Sequence, residues 1–394
     1  METAKNSDEP RAPKPVRASE RVSDLGADFY GQFELVTGGG VAARGYAGSL
    51  IEAGAPLHLV SLGDMYSGLA TCDCQLPSDP RRFAVAVEHV NADTTVRFLR
   101  RYGSEVSSAG ARVAIWFWEL AALRPDWVQN TRHYDEIWVA SEFGRRAVAA
   151  VTNTPVHVIP PPVELSPPAI DPIELRAKLG LQCDAFTFLY VFDYSSYVDR
   201  KNPRCLVEAY VDEFAPREGT ALILKVSHGD PSSEGFQRML HIAERRPDVH
   251  LVQEVLTGAQ LRALFDVADC YVSPHRSEGF GLTVAEAMLC GRPVIATDWA
   301  STVDFVTPET AFPLDYSLVE IEKDTGPYLR GYVWADASQE HLRALMRTVL
   351  ERPDEARARA AAGKRLIEER YSKQALGPRM RARLEALLDA MDGA

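Results

Sequence analysis

Two glutamates, Glu278 and Glu286, stand eight positions apart in the stretch HRSEGFGLTVAEAMLCGRPVIATD (residues 275–298), with Gly279 and Gly281 between them. The stretch leaves an apolar run, CYVSP, and enters a periodic segment from about Leu282 to Leu289 that Gly291 and Pro293 close, so the pattern predicts strand, loop and helix. In an open α/β sheet, ligands gather at the carboxyl ends of strands. A helix that starts there aims free N–H groups and the positive end of its dipole at an anion. The two glycines let the backbone come within hydrogen-bonding distance of a ligand. Glu278 can then accept hydrogen bonds from a polyhydroxyl group at the loop, and Glu286 from a second hydroxylated group further along. A nucleotide-linked sugar supplies both, with a diphosphate between them.

Other residues widen the choice. Lys225 ends the predicted strand ALILKV on the side of the same cleft, where a lysine serves either phosphate or sugar or simply faces water. The run Gly38-Gly39-Gly40 opens a predicted helix, and GGGVAA fits Gly-x-Gly-x-x-Ala with Asp64 after the second strand, the arrangement of a dinucleotide fold. An NAD-dependent oxidoreductase using that loop is therefore a rival reading, and a sugar-nucleotide-binding protein without catalysis is another. Paired carboxylates also serve glycoside hydrolases, but there the acid and base flank one scissile bond, whereas Glu286 sits in a helix beside the presumed nucleotide.

The elements that must position these residues alternate strand and helix. FELV (33–36), LHLV (57–60), ARVAIWFW (111–118) and EIWVA (136–140) read as strands, with a helix after the first carrying Ala43, Ala47, Leu50 and Ile51 inward and stopping at Gly54. Arg44 falls on the solvated face of that helix. The prolines of VIPPPVELSPPAIDP (158–172) deny backbone donors and mark an interdomain linker. The alternation then restarts with FTFLYVF, ALILKV, VHLV, CYVSP and PVIAT. Asn202 before Pro203 is read as a helix N-cap, and Thr257 with Gln260 as a capping box. Such alternation implies parallel sheets covered by helices. The expected domains are a mobile tail (1–25), a Rossmann-like acceptor-side domain (26–163) and a Rossmann-like nucleotide-sugar domain (164–376). A terminal helix (377–394), begun after the break at Gly377-Pro378, is expected to pack back on the first domain through Leu384, Leu387, Leu388 and Met391.

Composition sets bounds. The 394 residues suffice for two domains, and 46% hydrophobic with 25% charged residues is ordinary for a globular chain. A formal charge of −12 argues against a nucleic-acid partner. The six cysteines lack zinc-ribbon spacing, and the one-residue spacer of Cys72 and Cys74 suits neither a redox nor a metal motif. No apolar run approaches the roughly 18 residues of a membrane span, and the N-terminus lacks a signal peptide's apolar core. The expected setting is reducing and cytoplasmic. The sequence gives no sign of an oligomeric state.

The stretch SEGFGLTVAEAM, followed by CGRPVIATD, resembles the Glu-x7-Glu motif of retaining, family 4 type glycosyltransferases (glycosyl transferases group 1) with the GT-B fold. FDYSSYVDRKNP, WFWELAALRPDW, YDEIWVASEF, and GPYLRGYVWADAS before HLRALMR extend the likeness over nearly the whole chain after the tail. The resemblance implies that Glu278 with Gly279, Phe280 and Gly281 holds the donor sugar. Leu282 and Thr283 would offer amides to the diphosphate, and Glu286 would bind the ribose. It further implies that Arg200 and Lys201 of DRKNP neutralise the departing diphosphate, and that Gly39 and Gly40 approach it from the opposite wall. Here DYSS replaces the Gly-Arg pair common after that strand, which leaves the division between Arg200 and Lys201 open. Relatives carry a histidine where this chain has Trp118 and Glu119. Glu119 is thus either a substrate contact or a helix-start carboxylate, and His89 an alternative acceptor-side candidate or a structural histidine. The reaction implied is metal-independent transfer of a hexosyl unit from a nucleotide sugar, GDP-mannose being the first guess, to a glycan or lipid-linked acceptor, in polysaccharide or glycoconjugate biosynthesis. No cofactor is implied, and the enzyme would be cytoplasmic or peripheral to a membrane.

Overall fold

The computed structural model describes residues 24–393 apart from 67, 74, 183, 217 and 231. The expected tail falls almost wholly outside these residues, as does Cys74 of the Cys72 and Cys74 pair.

Strands β1 (Ala27–Gly31), β2 (Leu57–Ser61), β3 (Val85–Glu88), β4 (Ala111–Trp116), β5 (Glu136–Val139) and β6 (Val156–Val158) form one sheet in the order β2-β1-β3-β4-β5-β6. Strands β7 (Phe186–Asp193), β8 (Thr220–Ser227), β9 (Val249–Val252), β10 (Cys270–Ser273), β11 (Val294–Thr297) and β12 (Phe312–Leu314) form a second, in the order β12-β11-β10-β7-β8-β9. All pairings in both sheets are parallel. β1, β3, β8 and β10 are buried along their whole length, and β8 and β10 accordingly read as apolar runs and not as alternation.

The strand order locates two crevices. In the first sheet the direction of winding reverses between β1 and β3; in the second it reverses between β7 and β10. Such switch points leave a crevice at the strands' carboxyl ends. Here they carry the Gly38–Gly40 run and His89 in one half, and the Arg200-Lys201 segment and Glu278 loop in the other.

Several local expectations are corrected. FELV is not a strand: β1 lies earlier, and the carbonyls of Phe33 and Leu35 accept hydrogen bonds from the Arg44 guanidinium at 2.6 and 2.9 Å. That contact also takes Arg44 off the solvated face assigned to it. Asn202 does not cap through its side chain; its backbone is left-handed (φ 53°), and its side-chain amide donates to the Pro274 carbonyl at 3.1 Å. The capping box of Thr257 and Gln260 is present as read.

The terminal helix starts at Lys373 and runs unbroken to Asp392 with Pro378 inside it. It lies on the helix Gly38–Glu52, where a Cβ on Gly377 would stand 2.5 Å from the Ser49 carbonyl oxygen. Its Leu376, Met380, Leu384, Leu387 and Leu388 complete the core of the first half. This burial holds the turn that the sequence pattern of Gly and Pro argues against. A further element escaped prediction: β13 (Tyr316–Glu320) and β14 (Val333–Ala337) form an antiparallel hairpin outside both sheets. No helix among the described residues is long and apolar enough to cross a membrane.

Candidate active site

The segment after β7 is bent into the crevice by two left-handed residues, Tyr197 (φ 62°) and Asn202 (φ 53°), which bracket the short helix Val198–Lys201. Tyr190, buried on β7, donates its hydroxyl to the Lys201 carbonyl at 2.6 Å, and the Arg276 amide donates to the Arg200 carbonyl at 2.8 Å. With its backbone pinned to the loop after β10, the segment turns both cations toward that loop's carboxylate. Lys201 Nζ lies 2.5 Å from Glu278 Oε1, and an Arg200 terminal nitrogen lies 3.2 Å from Glu278 Oε2 while also donating to the Ser277 carbonyl at 2.8 Å. All three side chains are at most 16% exposed.

Electrostatics follow from that burial. Loss of water alone would raise the Glu278 pKa, but the Lys201 and Arg200 charges outweigh it and hold the carboxyl near about 2. Burial lowers the Lys201 pKa despite Glu278, whereas Arg200, equally buried, is held above its ordinary value by Tyr328, Glu278 and Glu119. Glu119 closes the cluster from the first half. Its carboxyl is pushed up by burial and by the Glu278 charge, against the pull of Arg200 and Lys201. The two halves touch here, since Ser277 Oγ donates to the Glu119 carbonyl. A Cβ on Gly279 would stand 3.3 Å from the Phe117 Cβ and 3.6 Å from Glu119 Oε1. Glycine at 279 thus leaves room between the walls.

Gly281 is left-handed (φ 89°) and caps the helix Leu282–Leu289; a Cβ there would come within 2.6 Å of Thr302 Cγ2. Phe280 packs in the core against Phe305 and Tyr371, so only its backbone is offered to a ligand. Thr283 accepts the Tyr271 hydroxyl at 2.7 Å. One turn on, Glu286 is 7% exposed, and its carboxyl is pushed up to about 8 by burial alone.

Other candidates stand apart from this cluster. Lys225 is buried, donates to Ser227 Oγ and has its pKa lowered by burial. Gly40 is pressed against the Leu35 carbonyl, where a Cβ would stand 2.1 Å from its oxygen, and Gly39 faces the Gln32 side chain. His89 lies between the rings of Tyr46 and Phe117 with no hydrogen-bond partner for either ring nitrogen among the described residues, and burial pushes its pKa down to about 4. Asp64, the acid of the dinucleotide reading, is paired with Arg101 at 2.9 Å and accepts the Tyr102 hydroxyl at 2.8 Å. Two neighbours of the cluster were not singled out from sequence. His275, between Ser273 Oγ (3.0 Å) and Thr302 Oγ1 (3.2 Å), is held neutral by burial, and Tyr328 comes from the hairpin loop. The motif GPYLRGYVWADAS was the signal that could have found the latter.

Residues 185–320, which include Arg200, Lys201, Lys225, Glu278 and Glu286 but not Glu119, His89 or the Gly38–Gly40 run, match the family model of the glycosyl transferases group 1. Over 149 residues the chain is 32% identical to a D-inositol 3-phosphate glycosyltransferase from Xylanimonas cellulosilytica. That alignment covers 36% of this chain and 34% of the other, so the chain spans about a third of the length of this relative. Sucrose-phosphate synthase from Thermosynechococcus elongatus superposes with a TM-score of 0.67 at 15% identity, over 93% of this chain and all of that one. HepE from Anabaena, solved in complex with UDP and glucose, superposes at 0.64 and 14% identity, over 92% and 100% of the two chains. At such identities the likeness concerns the fold, and the fold is GT-B, an α/β arrangement of two Rossmann-like halves as expected from the sequence.

Proposed function

We propose that the chain is a retaining glycosyltransferase that moves a hexosyl unit from a nucleoside diphosphate sugar to an acceptor hydroxyl without a metal ion, in polysaccharide or glycoconjugate assembly. One observation carries this reading: Arg200 and Lys201 converge on Glu278 at the glycine-lined start of a helix, at the switch point of the second sheet. Two buried cations beside free helix amides suit a diphosphate, and a carboxylate beside them suits sugar hydroxyls.

The residues divide the work accordingly. Leu282 and Thr283 amides receive the diphosphate, Glu286 the ribose, and Glu278 with the backbone of Gly279, Phe280 and Gly281 the sugar. Lys225, Gly39 and Gly40 line the donor side. Arriving phosphate oxygens compete with Glu278 for Arg200 and Lys201. Charge that develops as the glycosidic bond breaks then falls on cations already stripped of water, where each is worth more than at a surface. Glu278, ion-paired twice, holds the sugar and does not attack it. The acceptor enters on the face the diphosphate leaves, a departing phosphate oxygen takes its proton, and configuration is retained. Glu119 and His89 lie on the acceptor side.

Contacts across the cleft support exclusion of water during transfer. Ser141 Oγ meets Ser301 Oγ at 2.7 Å, the Glu142 amide donates to Asp304 at 2.9 Å, and Phe143 packs edge-on to Trp299.

GDP-mannose, by the sequence resemblance, and UDP-glucose, because HepE shares the fold and was solved with UDP and glucose, are the first donors to test. The acceptor is a glycan or lipid-linked sugar, met in the cytoplasm or at its membrane face. Calorimetry with UDP-glucose, GDP-mannose and NADH, followed by an assay of nucleoside diphosphate release, decides the matter. Binding and turnover of one sugar nucleotide support the reading. Saturable NADH binding with no response to either sugar nucleotide overturns it.

A further inference from the structure

The donor loop sets glycines on either side of one large side chain, and that side chain turns into the core. Phe280, 4% exposed, closes a three-ring cluster with Phe305 (centroids 5.4 Å apart) and Tyr371 (5.6 Å), whose own rings meet edge-on at 5.6 Å. Each of its two partners stands where the halves of the molecule are joined.

Tyr371 lies at the crossing of the chain. It follows the helix Pro353–Arg370 of the second half and precedes Ser372, the N-cap of the terminal helix Lys373–Asp392 that completes the first half. Its carbonyl accepts the Val163 amide at 2.7 Å, which ties it to the other crossing, the proline-rich linker. Two residues on, Lys373 pairs with Glu164 of that linker at 2.7 Å and with Glu52 of the first half at 3.4 Å. Both passages of the chain between the halves thus run beside one ring.

Phe305 ends the turn Ala300–Asp304, which the second half presses on the start of the helix Glu142–Ala149 through Ser301 and Asp304. The same turn touches the donor loop. The Ser301 amide donates to the Glu278 carbonyl at 3.4 Å, and a Cβ on Gly281 would stand 3.7 Å from the Phe305 ring. Ala300 enters the turn with a left-handed backbone (φ 68°), which a residue other than glycine keeps only where its surroundings impose it.

Protein interiors are packed so densely that a displaced ring moves its neighbours instead of compressing against them. A ligand that draws the amides of Gly279 and Gly281 toward itself therefore shifts Phe280 against two rings, one at the pivot and one at the docked turn. We propose that Tyr371 is a positioning residue for glycosyl transfer: through Phe280 it couples occupation of the donor loop to the angle between the two halves, so that a seated nucleotide sugar closes the cleft. The inference rests on the transferase reading. Such coupling is reciprocal, so the closed form holds the donor more tightly than the open one.

The test measures the radius of gyration by small-angle X-ray scattering for wild type, Tyr371→Phe and Tyr371→Leu, free and saturated with UDP-glucose or GDP-mannose, beside calorimetric Kd and the rate of nucleoside diphosphate release. Wild type and Tyr371→Phe, which keeps the ring, should contract on binding. Tyr371→Leu keeps an apolar side chain without the ring contacts. It should bind the same nucleotide sugar about five- to tenfold more weakly, hold the radius of the free protein at saturation, and turn over about tenfold more slowly at saturating donor. If Tyr371→Leu melts lower but contracts and turns over at saturation as wild type does, Tyr371 only packs and the proposal is overturned. A wild type that binds donor without contracting overturns it as well. Should Tyr371→Leu fail to fold, Phe305→Leu interrupts the same cluster from its other side and is held to the same outcomes. Failure of wild type to bind either nucleotide sugar, read separately by calorimetry, overturns the transferase reading and this inference with it.

Discussion

Replacing Glu286 with Gln tests the donor site through two opposite effects of one buried carboxyl. The Glu286 pKa of about 8 comes from burial, with no cation offsetting it. The folded chain therefore binds a proton between about pH 4.5, where an unfolded glutamate titrates, and pH 8, that the unfolded chain does not, and stability contributed at this site falls as pH rises through that window. At about 1.4 kcal/mol per pH unit the cost is roughly 3 kcal/mol at pH 7 and approaches about 5 kcal/mol above pH 8. Glutamine keeps the shape and never ionises, so Glu286→Gln should melt higher than wild type at pH 8 and nearly equal to it at pH 5, read by calorimetric scans.

Binding should run the other way. If the carboxylate accepts the ribose hydroxyls, wild-type affinity falls about tenfold for each pH unit below 8, so that a sugar nucleotide binds roughly 100-fold more weakly at pH 6 than at pH 9. An intact nucleotide sugar is the right titrant, because its diphosphate carries no proton that leaves in this range. Glu286→Gln should bind weakly at every pH, with a flat profile. Equal melting shifts in the two proteins between pH 5 and 8, together with parallel binding profiles, would refute both the burial argument and the ribose assignment.

Lys201→Ala should lower kcat by about 100-fold, the scale of losing one preorganised charge at a developing anion, with donor KM changed by much less; steady-state kinetics showing equal turnover would remove Lys201 from the reaction. Gly281→Ala places a Cβ 2.6 Å from Thr302 Cγ2 on a backbone with φ 89°. It should destabilise the fold by about 1–3 kcal/mol, visible as a shifted denaturation midpoint, and weaken donor binding as the helix start moves.

Much of the local structure around the Glu278 motif was legible from short-range signals. The strand, loop and helix around Glu278 follow from an apolar run, two glycines and a capped periodic segment, because left-handed turns and helix ends make demands on neighbouring residues only. The capping box at Thr257 and the helix stop at Gly54 were readable for the same reason. FELV shows the limit. Two buried apolar residues in a loop look like a strand until Arg44, a turn into the next helix, is seen to take their carbonyls.

What the sequence by itself determined is the class of architecture and the residues proposed to hold a hydroxylated anion, since periodicity, glycine placement and charge are properties of short segments. Which of those residues meet was decided only in three dimensions. Arg200 and Lys201 reach Glu278, 78 and 77 positions away, through two left-handed turns and a tyrosine on the strand they follow; the terminal helix continues through Pro378 because its buried face outweighs one missing donor. Tyr328 arrives from a hairpin that no period announces. Burial and the charges that the fold gathers around each group set the pKa values of this site, and both are properties of the packed whole, so no reading along the chain could have set Glu278 near 2 and Glu286 near 8.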